Sequence, residues 1–255
     1  MILTSQQVYD TDGNILQAVD DLLLPNLLTQ LFSTLTSTSS TTLSSLTITE
    51  LGAGTGRNTI KLLSPFFTIP ISNINALDLS PEMLTVARHR CNKYLEANAT
   101  SWRGVPEIKY YEFDALNPSA YPSIATKVDG KADIVLSTLV LEHLPIEIFF
   151  ASVKSLLKKE GGFLLLTNMH AEMGRMSQAG FVDVETGEKI RGDSYNYEVE
   201  EVVKEGRKWG FSVVGRVGER VVKEEDVGTG RLLGPRGKKW FGVRVWFGMV
   251  MRFVG

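Results

Sequence analysis

Short apolar runs alternate with longer segments of helical periodicity over most of the chain. The apolar runs lie at residues 46–51, 74–78, 108–113, 133–137 and 163–167, and the first of them is β-branched. A helical segment begins at Ser80, where Ser, Pro and Glu stand in the order typical of a helix N-terminus. Strands that alternate with helices indicate βαβ units, so the pattern predicts an α/β fold built on a parallel sheet.

The C-terminal part follows a different pattern. Residues 198–209 predict a helix that Gly210 ends, and residues 211–222 and 241–253 are strand-like with no helix between them. Two consecutive strands joined in this way are typical antiparallel neighbours. We therefore expect an antiparallel pair at the end of the sheet.

The N-terminal part is helical and rich in leucine. Residues 15–32 have the pattern of an amphipathic helix with Asp20 and Asp21 on its polar side. Proline removes a backbone donor from a helix interior, so Pro25 predicts two short helices rather than one.

A segment of biased composition follows this helical part. Residues 33–47 are Ser or Thr at twelve of fifteen positions, which predicts a loop or linker. We accordingly divide the chain into an N-terminal helical cap with a Ser/Thr-rich linker, residues 1–45, and a main domain, residues 46–255.

Cysteine content and net charge limit the class of protein further. The single cysteine, Cys91, excludes an internal disulfide and fits a reducing compartment. The formal net charge of −2 gives no reason to expect nucleic-acid binding, although residues 204–255 hold twelve Lys or Arg against five Asp or Glu. A solvated basic edge accounts for that asymmetry more simply than an anionic partner does.

No targeting or membrane segment is evident. The first residues lack the basic and apolar regions of a signal peptide, and the uncharged stretch 22–49 contains Pro25 and many Ser and Thr. We therefore expect a cytoplasmic protein without a membrane partner. The oligomeric state is left open.

A glycine-rich loop is placed where the first strand becomes a helix. Residues 50–56 read ELGAGTG, with glycines spaced two and two. The dinucleotide fingerprint needs a third glycine where Arg57 stands, so a pyrophosphate site is disfavoured. A smaller ligand that carries a carboxylate fits better, since a helix N-terminus offers free N–H groups to an anion. A tight strand–helix turn is the alternative reading of the same glycines.

Two acids stand at the ends of the next strands. Asp78 ends the second strand and Asp114 follows the third. Ligands of open parallel sheets bind outside the carboxyl ends of the strands. At that place Asp78 can accept hydrogen bonds from the hydroxyls of a ribose, and Asp114 can accept one from an exocyclic amine. Either acid alone is as well explained as a turn or a helix cap.

Three motifs together resemble the class I S-adenosylmethionine-dependent methyltransferases. They are residues 50–56, residues 76–84 (ALDLSPEML) and residues 139–145 (LVLEHLP). The resemblance covers residues 46–255 and is nearest to the small-molecule enzymes of that class. It implies a Rossmann-like, mostly parallel seven-stranded sheet with an antiparallel last strand and helices on both faces.

The resemblance also implies S-adenosyl-L-methionine as the cofactor and assigns its contacts. The residues for the methionyl part are Glu50, Gly52, Ala53, Gly54 and Asn58. Those for the nucleoside are Asp78, Leu79, Met83, Asp114 and Ala115. Ser137 and Thr138 would lie beside the sulfonium, and Tyr9 would close over the cofactor.

Candidate bases follow the fourth and fifth strands. His143 and His170 each lie on the ligand side of the predicted sheet, and a base is needed only where the acceptor atom carries a proton. The alternatives are a helix cap for His143 and a loop histidine for His170.

Tyr195 and Tyr197 suggest an aromatic acceptor pocket, or else they pack their loop onto the sheet. Because Asp133 begins its strand and the histidines are dispersed, no metal is predicted.

The sequence thus predicts methyl transfer to an oxygen, nitrogen or sulfur atom of a small organic acceptor. Two alternatives stay open. One is a methyltransferase that acts on RNA or protein, and the other is a protein that binds S-adenosylmethionine without methyl transfer.

Overall fold

The computed structural model of the chain describes residues 14–38, 45–63, 67, 69–99, 104–159, 161–176, 181–182, 189–190 and 194–255. One seven-stranded sheet organises this part of the molecule. Its strands are β1 (Leu46–Leu51), β2 (Ile71–Asp78), β3 (Glu107–Glu112), β4 (Ile134–Thr138), β5 (Phe163–Met169), β8 (Phe211–Val221) and β9 (Arg244–Phe253). Two further strands, β6 (Phe181–Val182) and β7 (Lys189–Ile190), form a separate antiparallel pair.

The strand order is β3-β2-β1-β4-β5-β9-β8. The first five strands pair in parallel, and β9 lies antiparallel between β5 and β8. The predicted Rossmann-like sheet and its antiparallel end are therefore confirmed. Because the strand order reverses between β1 and β4, the carboxyl ends of these strands border a crevice.

Helices cover both faces of the sheet. They are α1 (Ile15–Thr38), α2 (Thr59–Leu62), α3 (Pro81–Ala97), α4 (Pro122–Val128), α5 (Ile146–Leu156), α6 (Ala171–Met176) and α7 (Val199–Lys208). Helices α1 to α3 pack on one face, where Ile134 and Leu136 of β4 point, and α4, α5 and α7 pack on the other face, where Val135 points. The two-residue alternation of the strands thus feeds two hydrophobic cores.

Helix α1 differs from the sequence prediction in two ways. It runs unbroken through Pro25 and continues to Thr38, into the segment predicted to be a linker. Burial of Leu31, Phe32 and Leu35 holds this extension on the sheet. Its Ser and Thr hydroxyl groups donate to carbonyl groups three or four residues earlier, as Thr34 does to Gln30 at 2.9 Å, so these residues fit a helix.

Asp20 was expected on the polar side of α1, and this expectation is wrong. Its side chain has no exposed surface, whereas the side chain of the neighbouring Asp21 is 46% exposed. Successive helical residues point about 100° apart, so two adjacent acids can stand on either side of the boundary between core and solvent. None of the helices described here is long and apolar enough to cross a membrane.

Candidate functional site

The loop between β1 and α2 borders the crevice and depends on its glycines. The N–H groups of Gly52 and Ala53 both donate to the carbonyl of Leu77, at 2.8 Å, which ties the loop to β2. Gly52 and Gly56 have positive φ angles of 79° and 76°. A Cβ atom at Gly56 would stand 2.9 Å from the Cα atom of Ala87, so this position also excludes a side chain by contact.

Gly54 differs from the other two loop glycines. Its φ is 53°, and a Cβ atom built there would meet no atom within 4 Å. A side chain at Gly54 would therefore project into open space beside the loop. This is the geometry of a backbone that leaves room for a ligand to approach closely.

Asp78 lies at the end of β2, as predicted, and holds the loop. Its Oδ2 atom accepts from the N–H of Gly54 at 2.7 Å, and its Oδ1 atom accepts from the N–H of Ser80 at 2.9 Å. Each carboxylate oxygen can accept two hydrogen bonds, so one position on each oxygen is left for a ligand. Ser80 in turn caps α3 by accepting from the N–H of Met83.

A cavity of about 650 Å³ opens between the loop and the ends of β2, β3 and β4. Predicted site residues that line it are Gly52, Ala53, Gly54, Asn58, Asp78, Leu79, Met83, Asp114, Ala115, Thr138 and His143. Further lining residues that were not among the predicted contacts include Gln17, Arg57 and Phe113, and also Leu139, Val140 and Leu144 of the third motif. The volume falls in the range of small-molecule and cofactor sites.

Several predicted site residues lie elsewhere. Ser137 is buried behind the lining and donates to the carbonyl of Leu51 at 3.2 Å, and Tyr9 lies outside the described residues. Glu50 is buried beneath the loop, where its Oε2 atom accepts from the hydroxyl of Thr59 at 2.6 Å. Within the described part of the chain, its Oε1 atom has no hydrogen-bond partner. Burial raises the pKa of Glu50 to about 7.

His143 stands in the wall of the cavity, after the end of β4. Its imidazole is 59% exposed, and partial desolvation lowers its pKa, so the neutral form prevails at neutral pH. The adjacent Glu142 is buried, which raises its pKa to about 7, and its Oε2 atom accepts from the N–H of Met169. The strand end thus carries a neutral imidazole that faces the cavity.

His170 follows β5 but does not line the cavity. Its Nε2 atom lies 3.0 Å from Oε1 of Glu219, and its Nδ1 atom lies 3.1 Å from the backbone nitrogen of Glu172, which donates to it. Both ring nitrogens are thereby engaged by the protein. The side chain is 3% exposed, because β8 and α6 enclose it.

Tyr195 and Tyr197 stack on each other outside the lining. Their ring centroids are 5.7 Å apart and the rings are 5° from parallel. The N–H of Tyr195 donates to the carbonyl of Glu142, and the hydroxyl of Tyr197 donates to the carbonyl of Leu144. The pair therefore braces the turn that carries His143.

The lining of the cavity is strained at Leu139. This residue has a φ of 58°, the only positive φ among the non-glycine residues described. Its N–H donates to the carbonyl of Thr167 at 2.9 Å, which holds it against β5. Such strain persists where surrounding structure imposes it, often beside a functional site. Leu139 begins the third sequence motif, residues 139–145, but the motif gives no sign of the positive φ.

Known proteins resemble this chain in sequence and in fold. The family described as a methyltransferase domain matches residues 49–164. An uncharacterised methyltransferase of Emericella nidulans is 40% identical over 255 residues, which cover 95% of this chain and 86% of the relative.

Solved structures agree in fold. DhpI, solved as a complex with SAH, is 16% identical with a TM-score of 0.56, and the match covers 96% of this chain and 91% of DhpI. A methyltransferase of Mesorhizobium loti is 16% identical with a TM-score of 0.52, covering 83% of this chain and 93% of that one. The sequence relative and the fold together show that the chain belongs to the class I S-adenosylmethionine-dependent methyltransferases.

Proposed function

We propose that the cavity holds S-adenosyl-L-methionine, the cofactor of this family, through the residues predicted from the sequence. Gly52, Ala53 and Gly54 would receive the methionyl part, because the open space at Gly54 lets a ligand reach the backbone. Asp78 would bind the ribose hydroxyls through its remaining acceptor positions. When bound, the cofactor would supply the methyl group of its sulfonium, which passes to the acceptor atom by in-line displacement as the C–S bond breaks and S-adenosylhomocysteine leaves.

The nucleoside end of the cofactor would lie against Asp114, Ala115, Leu79 and Met83. Asp114 lines the cavity with Ala115, and its Oδ1 atom accepts from the N–H of Leu116 at 2.8 Å, which orients the carboxylate; in the proposed placement it would accept from the adenine amine. Leu79 and Met83 line the same region and would flank the base. Glu50, beneath the loop, would act on the methionyl amine indirectly, since it does not line the cavity.

A direct test of this placement uses Asp78. Asp78→Ala removes the acceptor for the ribose and releases the N–H of Gly54, so S-adenosylhomocysteine should bind at least tenfold more weakly by calorimetry. Asp129→Ala is the matched control, because Asp129 is an exposed acid in the turn before β4. Equal affinity of both variants would contradict the proposed role of Asp78.

We further propose that the acceptor is a small organic molecule, methylated on oxygen, nitrogen or sulfur with His143 as the base. The observation that carries this proposal is the position of His143. Of the three histidines, this one lines the cavity, while His170 is engaged by Glu219 and His89 stands exposed on α3. A neutral imidazole at that wall is suited to accept a proton from an acceptor atom.

The acceptor class is tested by following the conversion of S-adenosylmethionine to S-adenosylhomocysteine. A panel of phenols, amines, carboxylic acids and thiols is compared with total RNA and with denatured protein at low salt. We expect turnover with a member of the small-molecule panel. Turnover on RNA or protein alone would replace this acceptor class, and cofactor binding without any turnover would support a role without methyl transfer.

The expected compartment and organisation of the chain are part of the proposal. The single cysteine is buried and free, which fits a cytoplasmic protein. We propose that residues 1–45 act as a cap and linker appended to the methyltransferase domain of residues 46–255. Helix α1 supports this view, since it packs on β9 and β5 from outside the βαβ units.

A further inference from the structure

The buried carboxylate of Asp20 joins helix α1 to the sheet and to the loop of the site. Its Oδ1 atom accepts from the hydroxyl of Thr167 on β5 at 2.6 Å and from the indole nitrogen of Trp246 on β9 at 3.0 Å. Its Oδ2 atom accepts from Arg57 at 2.9 Å and from the side-chain amide of Asn58 at 3.1 Å. Two bonds on each oxygen fill the acceptor capacity of the carboxylate.

Two of these four donors belong to the lining of the cavity. Arg57 and Asn58 follow the glycine loop, and both side chains are pulled towards α1 by the same oxygen of Asp20. The amide nitrogen of Asn58 also donates to the hydroxyl of Thr138 at 2.7 Å. A chain of contacts therefore runs from α1, through Asn58, to the end of β4 near His143.

Docking of α1 does not by itself require a carboxylate. Val19, Leu24 and Leu31 have no exposed surface and bury the apolar side of the helix on the sheet. A buried ion pair is a weak source of stability compared with apolar packing of similar volume. The carboxylate instead contributes a geometric constraint, because it fixes the positions of four donors on β5, on β9 and directly after the glycine loop.

We propose that Asp20 is a positioning residue for the methyl-transfer end of the cavity. Through Asn58 and Thr138 it sets the spacing between the glycine loop and the end of β4, and so couples the docking of α1 to cofactor binding. This inference rests on the proposed placement of the cofactor in the cavity. Gln17, one turn before Asp20 on α1, lines the same cavity, so a shift of the helix moves the wall itself.

Asp20→Asn is the first test. An amide presents two donors to a ring of donors, so Arg57 and Asn58, or Thr167 and Trp246, lose their acceptor. We expect S-adenosylhomocysteine to bind at least tenfold more weakly by calorimetry, well below the melting temperature of the variant. Asp21→Asn is the matched control, because it makes the same charge change one residue along the helix, at a half-exposed pair with Arg57 and Lys61. Its affinity should stay within about twofold of the wild type.

A second variant leaves the carboxylate in place. Thr138→Val removes one of the two acceptors of the Asn58 amide, leaves its bond to Asp20, and keeps the volume of the side chain, so it is usable if Asp20→Asn does not fold. It should also weaken S-adenosylhomocysteine binding. In the double variant the two losses should fall short of their sum, since both act through Asn58. Full additivity would contradict the proposed chain of contacts.

Hydrogen exchange supplies a readout that is independent of turnover. In the wild type, S-adenosylhomocysteine should slow amide exchange in residues 15–38, and in Asp20→Asn this protection should be lost. Unchanged affinity in Asp20→Asn together with a lower melting temperature would reduce Asp20 to a structural role and overturn the inference. Failure of the wild type to bind S-adenosylhomocysteine would instead overturn the proposed function.

Discussion

Burial raises the pKa of two acids near the site, Glu50 and Glu142. Desolvation raises the pKa of Glu142 from 4.5 to about 7, so it is protonated in the folded protein where it is ionised in the unfolded chain. The folded state therefore binds the extra proton between these values, and the free energy of unfolding falls as the pH rises from about 4.5 to 7. Above that window the contribution is constant.

Glu142→Gln should remove this part of the pH dependence. An uncharged amide can still accept from the N–H of Met169, so the fall in unfolding free energy between pH 5 and pH 8 should shrink by an amount on the order of 3 kcal/mol. Urea unfolding at a series of pH values measures it. Glu147→Gln, an exposed acid on α5, serves as the control and should follow the wild-type curve. A Glu142→Gln curve parallel to that of the wild type would show that Glu142 ionises normally.

His143 should control the chemical step rather than cofactor binding. With an acceptor found in the panel, His143→Ala should lower kcat about 100-fold or more, the usual contribution of a base, while S-adenosylhomocysteine affinity changes by less than about threefold. Because desolvation lowers the pKa of His143, the acid limb of wild-type kcat/KM should lie below the ordinary histidine value of 6.5. The exposed His89→Ala is the control. Wild-type turnover in His143→Ala would remove it as the base.

At the residue scale, the sequence predicts what a strand end dictates and misses what tertiary contacts decide. Asp78 and Asp114 could be placed because each follows an apolar run whose carboxyl end must face the crevice. Asp20 could not be placed, since periodicity gives no way to tell a buried acid from the exposed Asp21 beside it. Leu139 likewise shows its strain only in the folded backbone.

At the element scale, Pro25 makes α1 less stable than its length suggests. Proline lacks the N–H that would bond to the carbonyl of Asp21 and crowds that turn, yet the helix continues through it because buried leucines hold both halves on the sheet. Local rules therefore predicted a break that tertiary packing prevents. The Ser and Thr residues at 33–38 likewise predict a linker, but they are helical because tertiary packing, including that of Leu35, holds this part of the chain on the sheet.

Pro25→Ala should accordingly stabilise the protein. Alanine at this exposed position can donate to the carbonyl of Asp21 and removes the crowding by the proline ring. This change should raise the unfolding free energy by about 1–3 kcal/mol. Thermal unfolding should show a melting temperature higher by several degrees. Asn26→Ala, at the next exposed position, is the control and should change stability by less than about 0.7 kcal/mol. A lower melting temperature would mean that Pro25 contributes packing on the groove it lines with Phe32 and Phe67.

At the scale of the whole molecule, chain order and spatial order separate at the C-terminal end. Periodicity predicted the antiparallel pair, because β8 and β9 follow each other without an α-helix between them; two short 3-10 helices lie in the connection. It did not predict that β9 lies inside the sheet and β8 at its edge, which depends on β9 pairing with β5 over seven residue pairs. The basic residues of this end are also dispersed, with Lys208, Arg220 and Arg244 paired to nearby acids.

The interior position of β9 makes the last strand indispensable. A chain that stops after Val243 loses β9, so β5 keeps β4 as its neighbour but becomes an edge strand, and β8 loses the strand with which it pairs. The buried side chains Trp246, Phe247 and Val250 leave the two cores. We expect that variant to lack a cooperative thermal transition by circular dichroism, since an open edge in mid-sheet exposes unpaired backbone groups. A chain that stops after Val254 keeps every β9 pair, and also the bond from the N–H of Val254 to the carbonyl of Gly210, so it should unfold like the full chain. Cooperative folding of the shorter variant would show that the parallel strands are stable without β9, and it would contradict the prediction that β9 is an essential part of the core.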